Sequence, residues 1–358
     1  MIPEARTTRP SARRQAPPHL AGGNTSTERN WGNDNAMSNA GSGRRLFRAI
    51  FWSVLIVTTF PLASEAQYKG DDIPGFLGLQ SGTQAPPGIY VGNVVWVYPT
   101  STIKDNSGHA INLPGSLTST AEIILLNVVT NYKLFGANVG GSAGFPFIKN
   151  RIELNSLDVN TPFAYTDMFL GASLGWSLKR ADIMAGYNLY IPTGRFSSGG
   201  TDNTGLGQWG NEFTIGSTVY PDQKKLWNVA ATFALEFHTD KSGTNINVGD
   251  MGTVQGGVGR TFYKKVSGPV PMIMNLGVAG YAQFKVTGDS GSDIPPALRG
   301  YKDRVFGLGP EFNIYIPKPR LSLLVRYGPE FGARLRTQGQ TLVFSIGWVA
   351  KSFVKGQP

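Results

Sequence analysis

The chain has 358 residues, 46 glycines, no cysteine and a formal net charge of +10. The high glycine content disfavours a helical bundle because glycine destabilises helix interiors, and the absence of cysteine excludes a disulfide framework. The basic residues are scattered rather than clustered with aromatic residues, so we do not expect the protein to bind nucleic acid.

The N-terminal region is typical of a targeting signal. Three arginines within 44–48 precede the apolar run 49–62, and the small residues of 63–66 fit a signal-peptidase site. A membrane anchor is the alternative, but the run is shorter than the about 20 residues that a membrane helix needs. We therefore predict a signal peptide over 37–66. The polar segment 1–36 is then either disordered or the result of a start codon assigned too early.

Alternating residues dominate the chain from position 88 onward. Between Trp227 and Phe237 every second residue is apolar, and the residues between them are mostly small or polar, which is the period of a β-strand. The same pattern recurs in about twelve segments. The predicted strands are 89–98, 119–130, 134–145, 165–178, 183–191, 212–220, 226–237, 251–262, 272–285, 304–316, 321–336 and 340–353.

The predicted connections alternate between long polar loops and short turns. The short ones include 221–225 and 317–319, and the long ones are 99–117, 146–162, 192–208, 238–250 and 286–303. In lipid, a structure without helices satisfies its backbone hydrogen bonds only as a closed barrel, whose wall alternates apolar and polar residues. We predict an all-β fold, a transmembrane antiparallel up-and-down β-barrel of about 12 strands over 88–353, with extracellular long loops and a short tail, 354–358. A soluble β-sandwich or barrel also alternates and is the alternative.

Charged residues at predicted inward positions are candidates for lining the lumen, and Asn93 falls on the same side by parity. Buried charges need partners, so we expect Glu311 or Glu330 to form ion pairs with the arginines. A role in steering a solute is compatible with such pairs. The charged candidates are Asp167, Glu212, Glu236, Lys285, Glu311, Arg326, Glu330, Arg334 and Arg336.

The sequence offers little for catalysis or for metal binding. A lipid-acting barrel enzyme needs a histidine base within hydrogen-bond reach of a nucleophile. After the predicted cleavage site only His109 and His238 are available, both in predicted loops and far apart in sequence. With no cysteine either, we predict no catalytic site, no cofactor and no metal site.

Several short motifs resemble those of a known family. They are GTQAPPGIY at Gly82–Tyr90, IPTGRF at Ile191–Phe196, GYAQ at Gly280–Gln283 and GLGP at Gly307–Pro310. With them the chain, from Gly78 to Phe353, resembles the outer-membrane proteins associated with the meta-cleavage pathway of phenol degradation.

The resemblance implies a channel in the outer membrane of a Gram-negative bacterium for passive uptake of small hydrophobic or aromatic compounds. Its partners would be outer-membrane lipid, such solutes and the barrel-assembly machinery. Two alternatives stay open. One is a structural or adhesive barrel without transport, and the less favoured one is a lipid-acting enzyme.

The lead-in before the first strand, 67–87, combines prolines and glycines with the apolar residues Phe76, Leu77 and Leu79. It cannot form a long helix, but it can bury a small apolar cluster. We expect either a periplasmic tether or partner-binding segment, or a plug in which Phe76, Leu77 and Leu79 pack inside the lumen.

Overall fold

The computed structural model describes residues 70–354, except 113, 155–156, 267–270 and 295–298. The predicted segments 1–36 and 37–66 and all but the first residue of the tail lie outside the described residues. No helix within the described ranges is long and apolar enough to cross a membrane.

Twelve long strands form the wall of a closed antiparallel barrel, and the prediction of an all-β up-and-down barrel is confirmed. Four shorter strands, β2 (Ile103–Lys104), β3 (Ala110–Ile111), β6 (Leu157–Asn160) and β7 (Ala164–Tyr165), lie in the connections. The wall strands are β1 (Gly88–Thr100), β4 (Gly115–Leu134), β5 (Ala137–Leu154), β8 (Met168–Ser177), β9 (Ala181–Ile191), β10 (Gly210–Val219), β11 (Trp227–His238), β12 (Met251–Lys264), β13 (Met272–Lys285), β14 (Arg304–Ile316), β15 (Leu321–Arg334) and β16 (Gln340–Ser352).

The wall strands follow one another around the ring nearly in chain order. The sheet runs β4-β1-β16-β15-β14-β13-β12-β11-β10-β9-β8-β5, and pairing of β4 with β5 closes it. Connections at one end are short, such as 135–136 and 317–320, and those at the other end are long, such as 192–209, 239–250 and 286–303. We call these the short-turn end and the long-loop end.

The side chains alternate between the lumen and the outer face as the period of two predicts. In β11, Phe233 is 39% exposed on the outside, whereas Thr232 is 3% exposed on the inside. In β4, whose facing the sequence leaves open, Ile123 points inward and is buried, and Ile124 points outward and is exposed. The outer face is therefore apolar, as contact with lipid requires.

The hairpin of β4 and β5 extends well into two predicted loops. β4 begins at Gly115 and β5 continues to Leu154, so the predicted bounds of loops 99–117 and 146–162 are wrong. Both Lys149 and Arg151 in this extension are exposed. A strand that continues beyond the lipid needs no apolar face, so the alternation that predicts strands is absent there.

Two residues predicted to face the lumen face outward instead. Asn93 pairs in register with the exposed Ile124 and therefore lies on the outer face. The inner face of β1 is itself apolar, so assigning the apolar residues of this strand to the lipid side gives the wrong facing. Arg334 is exposed and pairs with Arg304. A register shift in β14–β15, together with a left-handed backbone at Gly332 with φ of 63°, reverses the alternation before Arg334.

Candidate solute pathway in the barrel lumen

Residues 70–87, which we call the lumenal segment, lie inside the barrel and are hydrogen-bonded to its wall. At the long-loop end the N–H of Asp71 donates to Oε1 of Glu236 at 2.5 Å. Further along, the N–H of Leu77 donates to Oε1 of Gln255 at 3.1 Å. Backbone polar groups inside a fold need partners, and here side chains of the wall supply them.

The lumenal segment leaves the barrel at the short-turn end, where β1 begins. Oγ1 of Thr83 donates to Oδ2 of Asp182 at 3.1 Å, and Nε2 of Gln84 donates to Oγ of Ser173 at 2.9 Å. The segment therefore spans the lumen from one end to the other.

A buried ion pair holds the middle of the lumenal segment. Nε of Arg326 donates to Oε2 of Glu311 at 2.6 Å. The N–H of Leu79 donates to the same carboxylate at 3.2 and 3.3 Å, and Arg326 also donates to the carbonyl of Gly75. Gly78 passes so close that a Cβ there would lie 1.8 Å from Oε2 of Glu311. The ion pair therefore requires glycine at this position.

The side chain of Leu79 is completely buried in a socket of wall glycines. A Cβ added to Gly257, Gly259 or Gly277 would lie 2.9, 3.0 or 2.8 Å from a methyl carbon of Leu79. Asn228 donates its amide to the carbonyl of Leu79. The glycines of β12 and β13 thus leave room for a bulky side chain from the lumenal segment.

The lumen also has an apolar side. Val94, Ile123 and Val343 form a buried cluster on β1, β4 and β16. The strand order places these strands across the ring from β10, β11 and β12. Partly buried apolar residues that pack on the cluster are Ile73, Phe76, Trp96, Leu125, Phe169 and Leu324. Phe76 and Ile73 thus bring the lumenal segment against this side.

The opposite side is acidic near the long-loop end. Asp71 and Asp72 of the lumenal segment lie beside Glu236, whose two carboxylate oxygens accept hydrogen bonds from their N–H groups at 2.5 and 3.0 Å. Lys241 lies near this group, and burial lowers the pKa of its amine to about 8, while Asp71 opposes that change. Unlike the apolar side, this region is therefore rich in ionisable groups.

Other predicted lumen residues are buried in hydrogen-bond networks. Oε1 of Glu212 accepts from Nδ2 of Asn188 at 2.7 Å. Glu330 accepts from the hydroxyls of Tyr98 at 2.6 Å and Tyr281 at 2.9 Å. The expected pairing with an arginine is therefore found for Glu311, whereas the bonds of Glu330 come from tyrosine hydroxyls and the backbone N–H of residue 339.

Three further predicted residues hold the long loops. Asp167 accepts from the N–H groups of Gly194 and Leu206 at 2.8 and 2.6 Å, and burial raises the pKa of its carboxyl. Lys285 pairs with Asp289 at 2.6 Å, and Arg336 pairs with Asp303 at 3.1 Å. Their side chains brace loops at the mouth of the barrel.

His238 is the main residue that the sequence reading placed wrongly. It is the last residue of β11, not part of a solvated loop, and its side chain is buried. Its Nε2 contacts Oε1 of Glu236, and its Nδ1 lies 3.2 Å from the carbonyl of Val248. Continuing the alternation of β11 two residues beyond Glu236 identifies His238 as inward-facing.

A family model described as "Putative MetA-pathway of phenol degradation" matches residues 100–346. No curated protein matches the chain. Among solved structures, the COG4313 outer membrane channel from Pseudomonas putida F1 is similar, with a TM-score of 0.61 and 15% identity over 78% of this chain and 99% of that chain. This likeness shows an outer-membrane β-barrel fold.

Two further solved structures have lower similarity. The β domain of the Bordetella autotransporter BrkA has a TM-score of 0.45 and 12% identity over 74% of this chain and 99% of that chain. The CymD monoaromatic hydrocarbon channel has a TM-score of 0.35 and 8% identity over 74% of this chain and 88% of that chain.

Proposed function

Because the chain belongs to the MetA-pathway family of phenol degradation, we propose that it is a channel for passive uptake of small hydrophobic or aromatic compounds. Its closed barrel with an apolar outer face places it in the outer membrane of a Gram-negative bacterium. Outer-membrane lipid then surrounds the wall, and the solutes are its transient partners.

The apolar side of the lumen is the main structural support for this proposal. The acidic side is lined by carboxyl groups such as those of Glu212 and Glu236, whereas Val94, Ile123 and Val343 offer only apolar contacts. Apolar surface lowers the free energy of an apolar solute at about 25 cal/mol per Å² removed from water. An uncharged aromatic compound therefore finds a path along this side that an ion does not.

The lumenal segment is the gate in this proposal. Solutes enter among the long loops, move along the apolar side past Phe76, and leave at the short-turn end. Barrels of this size are largely filled by side chains, so passage requires Phe76 and Ile73 to move away from the cluster. During this movement, the backbone N–H groups of the segment remain hydrogen-bonded to side-chain oxygens of Glu236, Gln255 and Glu311 on the other side of the lumen.

A lipid-acting enzyme has less support from the histidines. His238 is bonded inside the barrel to Glu236 and Val248, and His109 lies beside Asp105 in a loop. Neither is on the lipid-facing wall, where a lipid-acting site would need its base. A structural or adhesive barrel is the remaining competitor.

Solute uptake in a strain that lacks the gene tests the proposal. Complementation should raise the uptake of uncharged aromatic compounds or alkanes and leave that of a charged solute of similar size unchanged. The variant Leu125→Gln, on the apolar side, should lower the uptake. Leu126→Gln, the adjacent outward position, is its matched control. Unchanged uptake across the panel would favour the structural or adhesive barrel.

A further inference from the structure

We propose that Asp71, Glu236 and His238 form a binding site for a divalent transition-metal ion, with zinc as the ion to test. Each of the three residues offers one ligand atom, and these atoms all lie within 4.8 Å of one another. Glu236 and His238 come from β11, and Asp71 comes from the lumenal segment. The site would join the segment to the wall.

The hydrogen bonds of His238 point to a metal ligand. Its Nδ1 lies 3.2 Å from the carbonyl of Val248, and since a carbonyl only accepts, Nδ1 must carry the hydrogen and donate it. In the neutral ring the lone pair is then on Nε2, which faces Oε1 of Glu236. Two lone pairs repel each other unless a proton or a metal cation lies between them. Histidines that bind metals usually donate the other ring N–H in this way.

The position of Asp71 also points to a bound cation. Its N–H is fixed on Glu236 at 2.5 Å, which brings its side chain to the same place. Oδ2 of Asp71 is buried and has no hydrogen-bond partner among the described residues. An unpaired carboxylate oxygen away from water is unfavourable. Gln208 hydrogen-bonds the same carboxyl group, and a metal ion would give Oδ2 a partner of its own.

The ligand types select the class of ion. One imidazole nitrogen with two carboxylate oxygens suits zinc and neighbouring first-row metals, whereas calcium and magnesium prefer oxygen ligands alone. Ligands on a tetrahedral zinc ion, with bonds of about 2.0–2.1 Å, are roughly 3.3 Å apart. The ligand atoms of Asp71, Glu236 and His238, all within 4.8 Å of one another, would adjust to that spacing when an ion binds. Two carboxylates also balance the charge of a divalent ion.

A bound ion would fix the start of the lumenal segment. Asp71 belongs to the segment, and the other two ligands belong to the rigid wall, so metal binding and docking of the segment are linked. This inference does not depend on which solute the barrel transports. Binding of the ion can therefore be measured whether or not uptake is observed.

Zinc titration of the purified full-length barrel in detergent, against a competing chromogenic chelator, tests the site. We expect one zinc ion per chain. Asp71→Asn and His238→Ala should weaken binding by more than the roughly 10–100-fold that loss of an outer hydrogen-bond partner costs. Asp71 is outside the wall, so its variant keeps the barrel. His109→Ala, which alters a histidine in an exposed loop, should bind as the parent does.

X-ray absorption of the zinc-loaded protein gives a second readout. It should show one imidazole and otherwise oxygen ligands, and the imidazole signal should disappear in His238→Ala but persist in His109→Ala. If the parent binds no more zinc than His238→Ala, a shared proton accounts for the contact between His238 and Glu236, and the proposal is wrong. Equal stoichiometric binding by Asp71→Asn would also overturn it.

Discussion

Arg326 and Glu311 form an ion pair between adjacent strands that is out of contact with water. Nε of Arg326 lies 2.6 Å from Oε2 of Glu311, and the two side chains are 4% and 1% exposed. The register pairs the same two residues across β14 and β15. The two charges thus partner each other within the wall, and both also bind the lumenal segment.

Breaking this pair should destabilise the barrel strongly. Glu311→Gln leaves the guanidinium of Arg326 buried without a counter-charge, which costs about 3–5 kcal/mol. Reversible guanidinium unfolding in lipid vesicles measures this change. The double variant Glu311→Gln/Arg326→Met removes both charges and should recover most of the loss. If the double variant is as unstable as the single one, the cost comes from packing and not from the unpaired charge.

Arginine on the outer face should be costly in the middle of a strand and tolerated near its end. Phe233→Arg, in the middle of β11, should lower the free energy of unfolding by about 2–4 kcal/mol because it faces the bilayer midplane. Phe237→Arg, one residue before the end of the same strand, should cost about 0–1 kcal/mol. The same unfolding assay compares them, and equal costs would contradict the assigned membrane position of β11.

Single-cysteine labelling should establish which end of the barrel faces outward. The chain has no cysteine of its own, so each introduced thiol is unique. Asn245→Cys, in a long loop, should react on intact cells with a reagent that cannot cross the membrane. Gln223→Cys, in a short turn, should react only after lysis; both positions are exposed. Labelling of position 223 alone from outside would reverse the predicted topology.

Deleting part of the lumenal segment should open the lumen. Without residues 71–82 the wall strands remain, but Phe76 and Leu79 no longer fill the interior, so single-channel conductance in planar bilayers should rise. Gly78→Val is a point variant that forces the segment away from the ion pair and should raise conductance less. If conductance stays at the level of the unaltered protein, the segment is not what blocks ions.

The sequence predicts the fold well because one set of alternate residues in each wall strand contacts lipid and the other set contacts the crowded lumen. In strands such as β11, the residue types alone therefore predict which side chains point outward and which point inward. The rule fails at Asn93, where the inner face is apolar too, and at Arg334, where a register shift and Gly332 invert the count. Neither the apolar inner face of β1 nor the register shift before Arg334 can be recognised from the amino-acid composition of the strand concerned.

The candidate site is less predictable from sequence for a different reason. The carboxylates Glu236 and Glu311 are visible as polar residues on inward positions. Their partners in the lumenal segment, Asp71 and Leu79, become relevant only when that segment folds back into the barrel. The contact of Asp71 with Glu236 joins residues 165 positions apart, and short-range patterns contain no information about it.

The seam between β1 and β16 makes closure of the ring depend on the two ends of the wall sequence. The first and last wall strands pair with each other, so the ring cannot close until the end of the chain has been synthesised. The segment directly precedes β1, so it joins the wall at this seam. A chain truncated before Gln340 would lack β16 and leave the backbone hydrogen-bonding groups of β1 and β15 unpaired along one edge.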